Sequence, residues 1–220
     1  MTPGEINIAN RERSRSVEFV ALLIEDIIAA RQRLSLAGTQ TARRDVVRTS
    51  LAAVEGMTWV AREHVRTALA ALEHLSPMAD LALREQSYAV TESGQLTQRP
   101  RGLPLLTTIR LVVSQAKIIS PEIAVEFSAS GWADLRQSID VRNRITHPKP
   151  EQELTVSDHD LAAVASGVSW LVATLDYVMA STNLALTRYN DHLRETVQRL
   201  AAGDSEALAE YHAALRQAED

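Results

Sequence analysis

Ile139-Asp140-Val141-Arg142-Asn143-Arg144-Ile145-Thr146-His147-Pro148 reads as the end of a helix that carries an arginine on its apolar side and finishes on a histidine. Proline disfavours helical geometry for the residue before it, so the helix is expected to stop near Thr146 and to leave His147 at or just beyond its C-terminus. Each helical residue advances about 100° around the axis, which puts Trp132, Leu135 and Ile139 on one apolar stripe. Arg142 falls inside that stripe, whereas Arg136 and Arg144 project away from it as solvated arginines. A guanidinium cannot shed its charge, so a buried Arg142 requires a partner.

The partner is sought on the other long amphipathic stretches. One helix is expected from about Glu12 to Leu34, with Val17, Val20, Ile24, Ile27 and Ile28 along its buried side and Gly38 as a break. A longer one runs from about Thr41 to Leu75, with Val47, Leu51, Val54, Ala61, Val65, Leu69 and Leu72 as its ridge, and Pro77 ends or kinks it. Glu55 follows Leu51 by four residues and sits next to Val54, so it too projects onto an apolar stripe. Buried charges persist mainly when paired, and Glu55 facing Arg142 across the core is the economical arrangement.

Further along, Ser87 to Pro104 reads as a small β-hairpin turning at Ser93-Gly94, or else as an exposed loop, and it carries Arg99 and Arg101. Leu105 to Ile119 reads as a helix closed by Pro121. Ser157 with Asp160 resembles a capping box opening a helix through Leu161, Val164, Val168, Leu171, Leu175 and Val178. Its uncharged run, Leu161 to Leu175, falls short of the roughly 20 residues a membrane span needs and is read as a buried core helix. Leu184 to Leu200 is amphipathic and charged, and Gly203-Asp204 separates it from a last short helix, Glu206 to Gln217.

Composition agrees with a helical protein. Of the 220 residues 45% are hydrophobic and only 4% aromatic, so the core is built from Ala, Leu, Val and Ile, a mixture that favours helices over a sheet sandwich. The expected fold is all-α: residues 1–220 as a single helical domain, with a core of about 40–185 and a C-terminal helical extension of about 186–220. A net charge of −5 argues against a protein that coats nucleic acid non-specifically and leaves room for a local basic patch. The absence of cysteine excludes disulfides, thiolate zinc sites and a cysteine nucleophile, and suits a reducing cytoplasm. Met1 to Phe19 is polar, carries Arg11, Glu12, Arg13 and Arg15, and does not read as a signal peptide. No membrane partner is expected.

Arg142-Asn143-Arg144-Ile145-Thr146-His147, at a helix end in an all-α chain, resembles the signature of the HEPN superfamily: an Arg, often followed directly by Asn, then a His a few positions on. The acid at Glu55 on the second helix adds to the likeness. The resemblance covers about residues 40–185 and implies a HEPN-like helical bundle. It further implies a homodimer in which two motifs form one composite site, and metal-independent endoribonuclease activity in a toxin–antitoxin, stress-response or phage-defence system. Such a protein acts on RNA and has an antitoxin or regulatory protein as a further partner.

On that reading His147 moves a proton, Arg142 holds the phosphate, Asn143 orients the imidazole or the phosphate, and Glu55 fixes Arg142. Arg99, Arg101, Arg144 and Lys149 are the candidate substrate contacts. No cofactor or metal is expected: Asp158-His159-Asp160 has ligand residue types, but neighbours on a helix point in different directions. His64, His74, His192 and His212 lie among charged helix faces and are read as solvent-exposed. Two other readings stand beside the enzyme. One is a catalytically inactive HEPN-like bundle that binds RNA, a nucleotide or a protein, and the other is a plain helical interaction protein.

Overall fold

The computed structural model describes residues 3–219, with side chains described from 15 to 216. Those of Arg11, Glu12 and Arg13 lie outside that range. Among the described residues seven helices follow one another: α1 Pro3–Ala37, α2 Gln40–Ala71, α3 Pro77–Leu83, α4 Leu105–Ile119, α5 Ser130–Thr146, α6 Asp158–Ala201 and α7 Ser205–Glu219. A hairpin of β1, Gln86–Val90, and β2, Leu96–Pro100, lies between α3 and α4, and a single 3-10 turn, Glu151–Leu154, precedes α6. The fold is all-α with one short antiparallel hairpin.

The centre is α2 against α4, α5 and α6. Val47, Leu51, Val54, Ala61, Val65 and Leu69 form a continuous buried ridge, as their spacing requires, and meet Ile109 and Val112 of α4, Leu135 of α5 and Leu171 of α6 in one cluster. Two glycines let α5 and α6 approach closely. A Cβ on Gly167 would stand 2.7 Å from the backbone N and Cα of Leu135, and one on Gly131 would stand 2.4 Å from the Cβ of Trp170. Trp132 and Trp170 then meet with ring centroids 5.4 Å apart and planes tilted by 58°, with Phe127 beside them, and the Arg110 guanidinium lies 4.3 Å from the centroid of the Phe127 ring.

Several boundaries fall where the residues dictate. α5 stops at Thr146 before Pro148, and α4 occupies the expected Leu105–Ile119. α6 opens on a reciprocal capping box, with the Ser157 hydroxyl accepting from the Asp160 N–H at 3.1 Å and the Asp160 carboxylate accepting from the Ser157 N–H at 2.9 Å. The hairpin turns through Gly94, which takes a left-handed φ of 77°.

Other expectations are corrected. α2 ends at Ala71, and Pro77 starts a separate helix, α3, capped by Ser76. Helix α1 bears out part of the expected side: Ile27 is buried and Val20 packs against the core, together with Ala30 and Leu23, while Val17, Ile24 and Ile28 are exposed, Val17 at 66%. Both sets have helical spacing, and α2 covers only one of them. The stretch from Leu184 to Leu200 is not a separate helix, because nothing between Asp158 and Ala201 breaks the chain. By length and composition α6 is long and apolar enough to cross a membrane, and 44% of its most apolar window is buried inside the bundle.

The α5–α6 contact yields the first prediction. Gly167→Ala forces its methyl into the Leu135 backbone, which cannot swing aside as a side chain tip can, and the expected loss is about 1–3 kcal/mol in urea unfolding. Gly102→Ala, whose Cβ would meet nothing within 4 Å, serves as the control and is expected to leave the midpoint near the wild-type value.

Candidate functional site

The end of α5 is held by a set of arginines from α2. Arg48 donates to the Ile145 carbonyl at 2.9 Å and so satisfies one of the terminal acceptors of α5. Arg44 donates to the Leu154 carbonyl at 3.0 Å, and Arg43 to the Val156 carbonyl at 3.2 Å while pairing with Asp158 at 2.7 Å. Gln40 clasps residue 156 from both sides, accepting from its N–H and donating to its carbonyl. The segment from His147 to Ser157 is thus strapped to the start of α2. These arginines were not singled out in the sequence, although three cations near one helix start, none with an acidic neighbour one turn away except Asp45 and the more distant Glu55, are a readable sign.

Glu55 and Arg142 do meet, with Arg142 Nη1 donating to Glu55 Oε1 at 3.0 Å. The depth is not what periodicity implies. Val141 and Ile145 take the buried side of the last two turns of α5, and Arg142 lies on the rim with its side chain 29% exposed and that of Glu55 48% exposed. Its stem is covered and its Nε is buried without a hydrogen-bond partner, while the guanidinium tip reaches toward solvent.

Arg144 corrects the other half of the expectation. Rather than projecting freely, it donates to the carbonyls of Glu153 at 3.1 Å and Thr155 at 2.7 Å and pairs with Asp160 at 3.1 Å. It ties the end of α5 to the cap of α6. Burial pushes the Asp160 carboxyl up, but the Ser157 N–H and hydroxyl and the Arg144 charge outweigh it and hold the group below the usual carboxylate range.

His147 is exposed and forms the C-cap, its N–H donating to the Asn143 carbonyl at 3.0 Å. Asn143 is exposed on the preceding turn, and the Thr146 hydroxyl donates to the Arg142 carbonyl at 2.6 Å. Among the described residues no side-chain hydrogen bond is formed by His147 or Asn143. Lys149 is exposed, with its N–H donating to the Glu153 carboxylate at 2.8 Å. The fold thus brings Glu55 and Arg142 together, while Asn143, His147 and Lys149 are exposed at or just beyond the same helix end and, among the described residues, form no side-chain hydrogen bond or ion pair with that pair.

Arg99 and Arg101 do not join them. The hairpin base is pinned by Arg62, which is only 9% exposed and pairs with Glu85 at 2.7 Å. Glu85 takes a left-handed φ of 53°, and its backbone and carboxylate accept from Arg101 and Leu103. Arg62 lies two heptads along α2 from Arg48, a rise of about 21 Å. The hairpin arginines are exposed at the far end of that span. His64 is another correction: half-buried, it lies 2.7 Å from the Thr182 hydroxyl of α6, whereas His74, His192 and His212 are exposed as expected.

No family model, curated protein or solved structure matches this chain. The corner is therefore read from its own geometry.

That geometry separates the two arginines in a stability measurement. Arg142→Ala removes a half-exposed ion pair and is expected to cost under about 1 kcal/mol. Arg144→Ala strips two carbonyls and Asp160 of their donor and is expected to cost about 1.5–3 kcal/mol. Because the Asp160 carboxyl is held low in the folded state, its contribution is complete above the ordinary carboxylate range and fades as pH falls through the lowered value. Asp160→Asn is expected to flatten the acid limb of a plot of unfolding midpoint against pH.

Proposed function

We propose that this chain is a HEPN-like endoribonuclease that works without a metal ion, in a toxin–antitoxin, stress-response or phage-defence role, and that two copies bring their Arg142–His147 corners together. The observation that carries the reading is the Glu55–Arg142 bond beside an exposed, uncommitted His147 on the next turn. RNA brings its own nucleophile. The 2′-oxygen attacks the adjacent phosphorus, forming a 2′,3′-cyclic phosphate as the bond to the 5′-oxygen breaks. One proton must leave the 2′-hydroxyl and one must reach the departing oxygen.

His147 of one copy takes the first proton and His147 of the other supplies the second. Glu55 holds Nη1 of the Arg142 guanidinium, Nε is buried, and the solvent-facing tip is left to meet the phosphorane charge. Asn143, exposed one turn before His147, orients the imidazole or the phosphate, and Lys149 adds a cation at the mouth. Arg144 is spent on the loop and Asp160, and Arg99 and Arg101 reach only the outer part of a bound strand.

A catalytically inactive bundle of the same kind is the second reading. It is favoured by the absence of any hydrogen bond between His147 and Arg142 among the described residues.

Cleavage of single-stranded RNA by purified protein in EDTA separates the two. His147→Ala is expected to lower the rate at least about 100-fold with little change in stability, the scale of a lost general acid or base. Arg142→Ala is expected to lower it comparably, with product ends carrying the cyclic phosphate. Equal cleavage by wild type and both variants sinks the mechanism, and no cleavage by the wild type leaves the binding reading.

A further inference from the structure

A cavity lies between α1 and α2, beside the Glu55–Arg142 bond. The two helices run antiparallel and meet closely at two places. A Cβ on Gly56 would stand 2.6 Å from Leu23 Cδ1 and 3.3 Å from the Phe19 ring, and further along Arg33 donates from Nε and Nη2 to the Asp45 carboxylate at 3.0 and 2.7 Å. Between these contacts α2 presents the small side chains of Thr49, Ala52 and Ala53, and the helices leave an open cavity of about 310 Å³ lined by these three with Leu23, Asp26 and Arg33. That is the lower end of the range for small-molecule sites, about 300–1,000 Å³.

The cavity adjoins the Arg142 bond. Ala52 is exposed; it follows Arg48 by four residues and precedes Glu55 by three, so the three fall on one exposed strip of α2. Helix α1 lies along one flank of that strip, and α5, held through Arg142 and the Ile145 carbonyl, lies along the other. Side chains three apart on a helix have Cβ atoms about 5–6 Å apart, so the Ala52 edge of the cavity is one turn from the carboxylate that holds Arg142.

The polar groups of the lining restrict what can enter. The Asp26 carboxylate is exposed and forms no hydrogen bond or ion pair among the described residues, and the Thr49 hydroxyl forms no hydrogen bond among them either. Asp26 repels an anion, and an apolar ligand would strip its water without replacing the lost hydrogen bonds. An ionised carboxylate only accepts, so it calls for donors. Guanine alone among the RNA bases presents two adjacent donors on its pairing edge, N1–H and the 2-amino group, which two carboxylate oxygens meet together. Adenine sets the acceptor N1 beside its amino group. Unpaired bases of single-stranded RNA are read on this edge, and the Thr49 hydroxyl supplies a donor for the neighbouring O6 of guanine.

We infer that the α1–α2 cavity takes a guanine base adjoining the scissile phosphate, with Asp26 on its N1–H and amino group while the phosphate meets Arg142. Ala52, lacking a bulky side chain, keeps the way between the two open. The inference rests on the ribonuclease reading for RNA as the ligand, and it gives that enzyme a preference for cutting beside guanosine.

The test is the affinity of the full chain for two uncleavable deoxy-pentanucleotides, thymidines on either side of a central deoxyguanosine or deoxyadenosine, measured by calorimetry. Wild type is expected to bind the guanine strand at least about 10-fold more tightly, the discrimination of one bidentate pair. Asp26→Asn, which replaces an acceptor by a donor at an exposed position, is expected to abolish that preference. Ala52→Phe, which fills the cavity from an exposed position, is expected to lower the affinity for the guanine strand to that for the adenine strand, with the urea midpoint of both variants near the wild-type value. Equal binding of the two strands by wild type, no binding of either, or a guanine preference that survives in either variant overturns the inference. Cleavage is scored separately. A wild type that prefers guanine and does not cleave RNA fails the catalytic reading alone, and one that cleaves through Arg142 and His147 without regard to guanine fails this inference alone.

Discussion

The close approach of α5 to α6 at Gly131 and Gly167 is the constraint on which the geometry of the corner depends. Backbone meets backbone at Leu135, and the Trp132–Trp170 pair fills the space beside it. A larger residue at either glycine moves α5 outward, and with it every side chain beyond residue 135. The Arg142 bond to Glu55 and the Arg48 bond to the Ile145 carbonyl both cross from α5 to α2 and are the contacts that such a shift would strain. A packing event some distance away therefore sets the direction in which Arg142 and His147 point.

Arg142 and Arg144 stand two residues apart on one helix and do different work. Arg144 is architectural, because two loop carbonyls and a capping carboxylate consume most of its donors. Arg142 has a single carboxylate to steady its Nη1 and lies on the rim, with its Nε buried and unpartnered. A fully buried Glu55–Arg142 pair would be inaccessible to a ligand, and breaking it would be strongly destabilising. On the rim, the same pair costs little to rearrange and leaves the cation available to a phosphate. The proposed ribonuclease reading is therefore better served by the observed depth than by the depth that periodicity alone suggests.

Much of this was legible in the chain because local chemistry decided it. Pro148 ended α5, Ser157 and Asp160 opened α6, and Ser93-Gly94 turned the hairpin, each through contacts within a few residues. The Glu55–Arg142 pairing was also readable, since only a few charges fall on apolar stripes. What could not be read depends on which neighbour covers a face. Helix α1 has apolar residues over more of its surface than α2 covers, and the covered side runs through Val20, Leu23, Ile27 and Ala30, leaving Val17, Ile24 and Ile28 outside; α6 has no local break at residue 184. The commitment of Arg144, and the straps from Arg43, Arg44 and Arg48, involve carbonyls whose positions follow only from the folded loop.

The most direct measurement of the account is an NMR titration with a short 2′-deoxy oligonucleotide, an uncleavable analogue of the substrate, following the Arg142 Nε–H and the His147 ring. The account predicts that both signals move together and saturate at one oligonucleotide concentration, while the Arg144 Nε–H stays in place. Binding that shifts Arg99 and Arg101 and leaves Arg142 and His147 unmoved would contradict it.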